Sequence, residues 1–192
     1  DFHKSRMFKA KEIEGELKYA VRRQEETIYY KRLRMANPEM SRFKDLILYN
    51  LEAGEAVLTD NNDIRVYTDG KEKFRALIEE MKQAKRYIHM QYYIIRNDEL
   101  WQEVEKVLIQ KAREGVAVRV LFDSMGCRTM KNRDWERLEK EGIQVAEFFP
   151  ALLGQLQLRV NYRNHRKIVV IDGRVGFVGG FNVGREYLGR DK

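Results

Sequence analysis

Short apolar, β-branched segments alternate with amphipathic helical segments from residue 64 onward, and this alternation restricts the fold more than any other feature. We predict strands at residues 64–68, 87–95, 116–123, 143–148, 159–162, 167–171 and 175–179. We predict helices from Asp69 or Gly70, from Asp98 to Arg113, over residues 132–140 and over residues 182–188. Strands that alternate with helices indicate an α/β sandwich with a mixed sheet.

A turn-forming cluster of Asp and Asn at residues 60–63 divides the chain. We predict a basic helical amino-terminal segment over residues 1–59, serving as a linker or juxtamembrane segment, and the α/β domain over residues 60–192. Within the first segment, one highly charged helix is predicted over residues 7–35. A second helix is predicted to begin with Pro38 at its first position and to run to Gly54.

The net charge is +7, and the basic excess lies at the two ends of the chain. Residues 1–35 carry a balance of +4 and residues 159–192 a balance of +5. Basic surface attracts partners that carry phosphate, so charge alone leaves both nucleic acid and anionic lipid open. The first helix is either a solvated linker or a helix lying against a membrane, where four cations would meet lipid phosphates: Lys4, Arg6, Lys9 and Lys11.

The number and spacing of cysteine and histidine residues indicate the redox compartment of the protein and argue against a metal site. Cys127 is the single cysteine, which excludes an intramolecular disulfide and fits a reducing compartment. We expect Cys127 to be a small, partly buried side chain. The three histidines, His3, His89 and His165, lie far apart, and no carboxylate–histidine cluster has the spacing of metal ligands. No apolar run approaches the ~18–20 residues of a membrane-spanning helix.

His165 and Lys167 lead into an apolar run of Ile and Val, and on a strand residues two apart point to the same face. An imidazole and an ammonium on one face of a buried strand need a polar reason to be there. An anionic ligand, held by the cation and attacked or protonated by the imidazole, supplies that reason. The alternative is that His165 is an ordinary residue at the start of the strand, with its hydrogen bonds satisfied and no catalytic role. Asp172 falls on the opposite face.

Two glycines and an amide complete the pattern. Gly179 and Gly180 suit a tight turn or a close backbone approach to a ligand, and Asn182 would enter the same site as a hydrogen-bond donor. A pattern that fixes His, Lys, Asp, two Gly and Asn at set spacings favours a functional site.

The spacing His-x-Lys-(x)4-Asp-(x)6-Gly-Gly-x-Asn resembles the HKD motif of the phospholipase D superfamily. Residues 161–167 and 180–189, with residues 87–95 and 120–126, resemble the bacterial cardiolipin synthase branch. The resemblance covers roughly residues 40 to 192. It implies a phospholipase D-like α/β sandwich and places the chain in the amino-terminal half of the catalytic region.

The resemblance implies phosphodiester transfer through a phospho-histidine. His165, Lys167 and Asp172 are then the catalytic motif residues, with Lys167 stabilising the phosphate oxygens. His165 is a candidate nucleophile, and the sequence leaves open which of the two motif histidines of the full enzyme is the nucleophile and which the general acid. Because Asp172 lies opposite His165, we expect its role to be structural, as a cap or a salt bridge. The candidate substrate-binding residues are Asn182, Gly179, Gly180, Arg163 and Gln91.

The implied activity is that of a phosphatidyltransferase that converts two phosphatidylglycerol molecules to cardiolipin and glycerol, without a metal or other cofactor. One alternative is a single-HKD dimeric nuclease or phosphodiesterase; the other is an inactive fragment that lacks the second HKD half. The expected partners are phosphatidylglycerol and an anionic membrane surface, and nucleic acid is not expected. The implied location is the cytoplasmic face of the cell membrane, with membrane spans upstream.

HKD enzymes use two motifs, and the sequence holds one. The second half would come from missing downstream chain or from a dimer partner, so we expect the chain alone to be inactive. The chain begins at Asp1 rather than Met and ends soon after the motif, so we expect it to be a piece of a longer protein. The acid that orients His165 in such enzymes is expected just past Lys192.

Other residues have two interpretations each. The apolar residues 148–156 form either core or a loop that admits acyl chains. His89, Gln91 and Tyr93 share one strand face and suggest a wall of the site. Asp123 either supports the site or caps a turn, and Glu186 either orients a site group or is a surface carboxylate.

Overall fold

A computed structural model of the chain describes residues 2–29, 38–59, 62–148 and 163–189, with side chains from residue 14 onward. The backbone divides into two compact units, Asp1–Arg65 and Val66–Lys192. The predicted domain boundary at residue 60 and the roles of the two domains stay predictions. The side chains of Lys4, Arg6, Lys9 and Lys11 lie outside the described part.

The first unit is helical. Helix α1 is described over Phe2–Tyr29, and a 3-10 helix at Pro38–Phe43 leads into α2, Lys44–Gly54. The segment after Pro38 therefore begins as a 3-10 helix rather than as the predicted α-helix. Helices α1 and α2 share a small apolar core of Val21, Ile28, Ile47 and Leu51. Among the residues described, no helix is both long enough and apolar enough to cross a membrane.

The second unit contains a five-stranded mixed sheet in the order β3-β2-β1-β4-β5. Its strands are β1 Tyr87–Tyr92, β2 Ala117–Asp123, β3 Gln144–Phe148, β4 Ile168–Ile171 and β5 Val175–Val178. Helix α3, Gly70–Lys82, precedes β1; helices α4, Glu99–Arg113, and α5, Asn132–Lys140, connect β1 to β2 and β2 to β3. These helical crossovers make β1, β2 and β3 parallel, whereas β4 runs antiparallel to both β1 and β5. The predicted α/β fold with a mixed sheet is confirmed.

One face of this sheet carries the core. Alternate residues of β1, β2 and β4 are buried there with the apolar faces of α3 and α4. The Trp135 ring of α5 stacks on Phe122 of β2 at 4.0 Å. The buried sheet residues are Ile88, Met90, Tyr92, Val118, Val120, Phe122, Val169 and Ile171.

The predicted strand at residues 64–68 is wrong. The structure assigns residues 62–68 no secondary structure, and Ile64 and Val66 are 79% and 84% exposed. Alternation of apolar residues makes a strand only where a neighbouring strand takes up its backbone hydrogen bonds.

The predicted helix at residues 182–188 is also smaller than expected. It is a single 3-10 turn, Arg185–Leu188, which ends where Gly189 adopts a φ of 67°. The predicted strand at residues 159–162 and most of the apolar stretch 148–156 lie outside the described residues.

Candidate active site

His165 and Lys167 meet at the amino end of β4. The Lys167 ammonium donates to the His165 carbonyl oxygen at 2.7 Å and to His165 Nδ1 at 3.1 Å. The imidazole is exposed, whereas Lys167 is only 5% exposed. Burial disfavours the charged ammonium and lowers the pKa of Lys167. The two-residue spacing thus brings a nucleophile candidate and a cation into direct contact.

Tyr93, the residue after β1, covers this pair. Its ring centroid lies 4.6 Å from that of the His165 imidazole, with the planes tilted by 46°. The Lys167 ammonium lies 5.3 Å from the same centroid, within the range of a cation–π contact. An aromatic wall of this kind restricts the imidazole and keeps the ammonium partly desolvated.

Of the three residues predicted to form a wall of the site, Gln91 and Tyr93 lie beside His165 or the residue before it, and His89 does not. Gln91 donates from Nε2 to Asn164 Oδ1 at 2.7 Å, beside His165. His89 instead stacks on Tyr87 at 4.5 Å and accepts a hydrogen bond at Nε2 from Arg119. Arg119 and desolvation lower the pKa of His89, with desolvation the larger cause.

Asn182 is held in one orientation next to Tyr93. Its Oδ1 accepts the backbone N–H of Ile94 at 3.2 Å, and its Nδ2 donates to the Tyr187 hydroxyl at 2.7 Å. The side chain is 4% exposed. These two bonds fix which end of the amide carries the nitrogen, and that nitrogen has a second N–H.

The glycines before Asn182 are not required by packing within the described part of the chain. A Cβ added at Gly179 or Gly180 would meet no heavy atom within 4 Å. The Gly179 N–H donates to the Lys167 carbonyl at 3.3 Å, which ties this turn to the start of β4. The space beside both glycines is consistent with a ligand approaching their backbone.

Asp172 lies elsewhere. It occupies the turn after β4, five residues beyond Lys167, or roughly 15 Å along an extended strand. Its carboxylate accepts the backbone N–H groups of Tyr87, Lys85 and Arg86 at 2.8, 2.8 and 2.9 Å. These hydrogen bonds, that from Tyr87 first, lower its pKa. The structure therefore places Asp172 away from His165. Strand alternation predicted this separation.

Asp123 joins β2 to the segment that precedes His165. The carboxylate is fully buried, and its Oδ2 accepts the backbone N–H of Asn164 at 2.9 Å. Its Oδ1 accepts the N–H of Met125 at 3.0 Å and lies 3.8 Å from the Arg163 guanidinium. The carboxylate thus caps the turn after β2, as one of the two interpretations from sequence has it, and its support of the site stays a prediction. The sequence signal for this role was an acid at the end of a buried strand.

Two acidic side chains, Glu186 and Asp98, connect the chain after β1 with the chain after Asn182. Glu186 forms an ion pair with Arg96. Asp98 caps α4 and accepts the Arg185 N–H at 2.7 Å. The backbone groups of Ile94 and Arg96 also pair with Val183. The region after Asn182 is thereby held against the chain that follows β1. The acid expected beyond Lys192 lies outside the described residues.

Cys127 is buried, as a donor to the Tyr93 carbonyl and an acceptor from the Ile95 N–H. Burial raises the pKa of this thiol to about 12, which leaves it without thiolate character at neutral pH. In the part of the chain that the structure describes, no group of three or more His, Cys, Asp or Glu side chains could hold a metal ion. The expectation of a cofactor-free site stays a prediction.

Comparison with known proteins identifies the family. Residues 77–192 match the family model described as cardiolipin synthase, PLD-like domain. The chain is 48% identical over 155 residues to a cardiolipin synthase of Oceanobacillus iheyensis, covering 81% of this chain and 32% of that protein. It is 51% identical over 146 residues to the major cardiolipin synthase of Bacillus subtilis, covering 76% and 30%.

The chain thus spans about a third of the length of these curated relatives. Among solved structures, NucT from Helicobacter pylori is similar with a TM-score of 0.48 and 17% identity, covering 64% of this chain and 74% of that one. The match of the family model over more than half of the sequence establishes that the chain belongs to the family of cardiolipin synthase, phospholipase D-like domains.

Proposed function

We propose that this chain carries the nucleophilic half of a cardiolipin synthase active site. The observation that supports this most directly is the contact of His165 with Lys167 under the Tyr93 ring. An exposed imidazole beside a desolvated cation is suited to attack on a phosphodiester, because the cation stabilises charge on the phosphate oxygens.

The proposed reaction has two displacements. A nitrogen of His165 attacks the phosphorus of phosphatidylglycerol, an N–P bond forms, and the P–O bond to glycerol breaks. The glycerol oxygen takes a proton from a general acid. The hydroxyl of a second phosphatidylglycerol then attacks the phosphorus and gives its proton to the conjugate base of that general acid. A P–O bond forms as the N–P bond to His165 breaks, and the general acid is restored. Cardiolipin and glycerol are the products, and the histidine is regenerated.

Two further donors would assist Lys167 at the phosphate. Asn182 has an N–H beyond the one it donates to Tyr187, and the backbone N–H of Gly180 is the second. Gly179 stays a predicted substrate contact through close approach of its backbone, because its N–H is bonded to Lys167 while the space beside its Cα is open. Gln91 and Arg163 stay predicted substrate contacts. In the structure the Gln91 side chain bonds to Asn164, and the Arg163 guanidinium lies near Asp123. Asp172 would support the site from a distance through the residues that lead into β1.

We further propose that a second histidine, from further chain of the same protein or from a second copy of it, acts as the general acid. The proposed substrate is a membrane lipid, so the enzyme would work at the cell membrane, and we propose its cytoplasmic face as the side on which it acts. The first unit would then serve as a juxtamembrane segment. No cofactor is needed for the proposed displacements.

Trapping of the intermediate tests this function. The chain, alone and within a longer protein that contains it, is incubated with vesicles of phosphatidylglycerol labelled with radioactive phosphorus. From the longer protein we expect both an acid-labile label on the protein and labelled cardiolipin. From the chain alone we expect no cardiolipin. His165→Ala should abolish both while the circular dichroism spectrum stays that of the folded chain.

His89→Ala is the matched control, because His89 lies on β1 of the same unit but is bonded to Arg119 rather than Lys167. It should retain the label. Turnover that survives in His165→Ala would reject His165 as the nucleophile. Cleavage of DNA by the wild-type chain, without transfer from phosphatidylglycerol, would replace the synthase proposal with the nuclease alternative.

A further inference from the structure

Asp123 is the least exposed charged side chain among the described residues, at 0%. A buried carboxylate is costly unless hydrogen bonds and opposite charge compensate for its lost hydration. Both carboxylate oxygens are engaged, Oδ1 by the Met125 N–H and Oδ2 by the Asn164 N–H. The Arg163 guanidinium, 3.8 Å from Oδ1, supplies the opposite charge. The carboxylate therefore fixes the backbone of Asn164 to the carboxyl end of β2.

A second bond fixes the side chain of Asn164. Its Oδ1 accepts from Gln91, which lies on β1 and pairs with Leu121 of β2 and Ile168 of β4. The residue before His165 is thus attached to two neighbouring strands, by its backbone to β2 and by its side chain to β1.

The chain on the other side of His165 is fixed as well. The Lys167 ammonium holds the His165 carbonyl at 2.7 Å. Residues 163–167 precede the first residue of β4, Ile168, so these side-chain bonds take the place of strand pairing for the segment that carries the imidazole.

We propose that Asp123 is a positioning residue for His165: its buried carboxylate holds the Asn164 backbone so that the imidazole lies against Tyr93 and Lys167. This assignment rests on the proposed function, within which it gives Asp123 a role. A carboxylate suits the task because both of its oxygens accept N–H donors, whereas the amide of Asn offers one acceptor. Misplacement of a reacting group by about 1 Å can cost about 100-fold in rate.

The test combines the state of the His165 ring with steady-state kinetics. In Asp123→Asn, carbon- and nitrogen-labelled histidine spectra should show a displaced His165 signal, assigned by its loss in His165→Ala, and an unchanged His89 signal. In a longer protein that contains the chain, kcat should fall by about 10- to 100-fold with little change in KM. Asp69→Asn is the matched control, because Asp69 caps α3 through the Glu72 N–H; it should leave both readouts at the wild-type value.

If Asp123→Asn prevents folding, Asp123→Glu tests the same attachment. That variant keeps the charge and both acceptor oxygens but moves them by one methylene, so the Asn164 backbone and the His165 signal should again be displaced. An unchanged His165 signal in the folded variant overturns the positioning role, whether or not the wild-type protein transfers phosphate. A displaced signal in a protein that transfers no phosphate supports the positioning role and rejects the proposed function instead.

Discussion

Asp172 occupies the turn between β4 and β5, where three backbone N–H groups at the start of β1 converge on its carboxylate. We predict that Asp172→Asn lowers the melting temperature of the chain by several degrees, because an amide has one acceptor oxygen in place of two and carries no charge. The pKa of Asp172 is lowered in the folded chain, so its contribution is complete above the unfolded pKa of about 4. That contribution is lost as the pH falls through the folded pKa.

Thermal unfolding at neutral and acidic pH measures both effects. The loss of stability in Asp172→Asn should be full at neutral pH and should shrink as the pH falls below the unfolded pKa of about 4. Asp63→Asn is the control, since Asp63 is an exposed aspartate of the first unit and its substitution should change little. An unchanged melting temperature in Asp172→Asn together with lost activity would instead make Asp172 a catalytic residue.

The part of the site that lies close in sequence was predictable, and the part assembled across the sheet was not. The two-residue spacing of His165 and Lys167 is enough to place both side chains on a common strand face. The bond between Asp123 and Asn164 joins residues 41 positions apart. Its existence depends on the order of strands in the sheet, which the pattern of apolar residues does not encode.

Two helices of the second unit were well predicted at the scale of elements. The helix predicted from Asp98 to Arg113 is α4, which Asp98 caps, and α5 has the predicted bounds. Local capping chemistry determines such ends, so a short window of sequence suffices. The first helix is described from Phe2 rather than from the predicted residue 7. The strand predicted at residues 64–68 failed because strand formation needs a partner strand, which can come from any part of the chain. The turn after Asn182 ends at Gly189, whose φ of 67° lies in the left-handed region and does not continue a helix.

The Asp98 carboxylate joins two elements, and its removal should cost more than the loss of a simple cap. Its Oδ1 accepts from Leu100 and Trp101 at the start of α4, while Oδ2 accepts from Arg185 after Asn182. We predict that Asp98→Ala lowers the free energy of unfolding by about 2 kcal/mol, the upper end of the range for a helix cap. Urea denaturation measures this loss.

Asp69→Ala is the matched substitution, because Asp69 caps α3 through a single described bond, from Glu72. Its cost should be about 1 kcal/mol or less. Hydrogen exchange should separate the two variants further, with the Arg185 amide losing protection in Asp98→Ala alone. Equal costs and equal protection would mean that the bond to Arg185 adds nothing to the cap.

At the scale of the molecule, a buried lysine inside the second unit links stability to pH. Lys73 of α3 is 9% exposed, donates to the Tyr92 hydroxyl at 2.6 Å, and lies 3.7 Å from the Phe74 ring centroid. Desolvation lowers the pKa of Lys73 to about 7. The folded chain thus gives up this proton near neutral pH, whereas the unfolded chain holds it to about pH 10.4.

This difference predicts a pH dependence of stability with a definite sign. Between about pH 7 and pH 8.5, the unfolded state binds one more proton at Lys73 than the folded state does, so the free energy of unfolding rises with pH by up to about 1.4 kcal/mol per unit. Above that range the unfolded Cys127 thiol and Tyr92 hydroxyl begin to ionise and oppose the rise, because burial raises the pKa of both groups in the folded chain.

Lys73→Met isolates the effect, because it removes the buried amine and keeps an unbranched side chain of similar length. Urea denaturation across this pH range should give a flatter profile for Lys73→Met than for the wild-type chain, and a higher stability at pH 7. Lys82→Met, at the exposed end of the same helix, should keep the wild-type slope. Equal slopes in all three proteins would mean that the Lys73 ammonium keeps its proton in the folded state, with the Tyr92 hydroxyl and the Phe74 ring compensating for its burial.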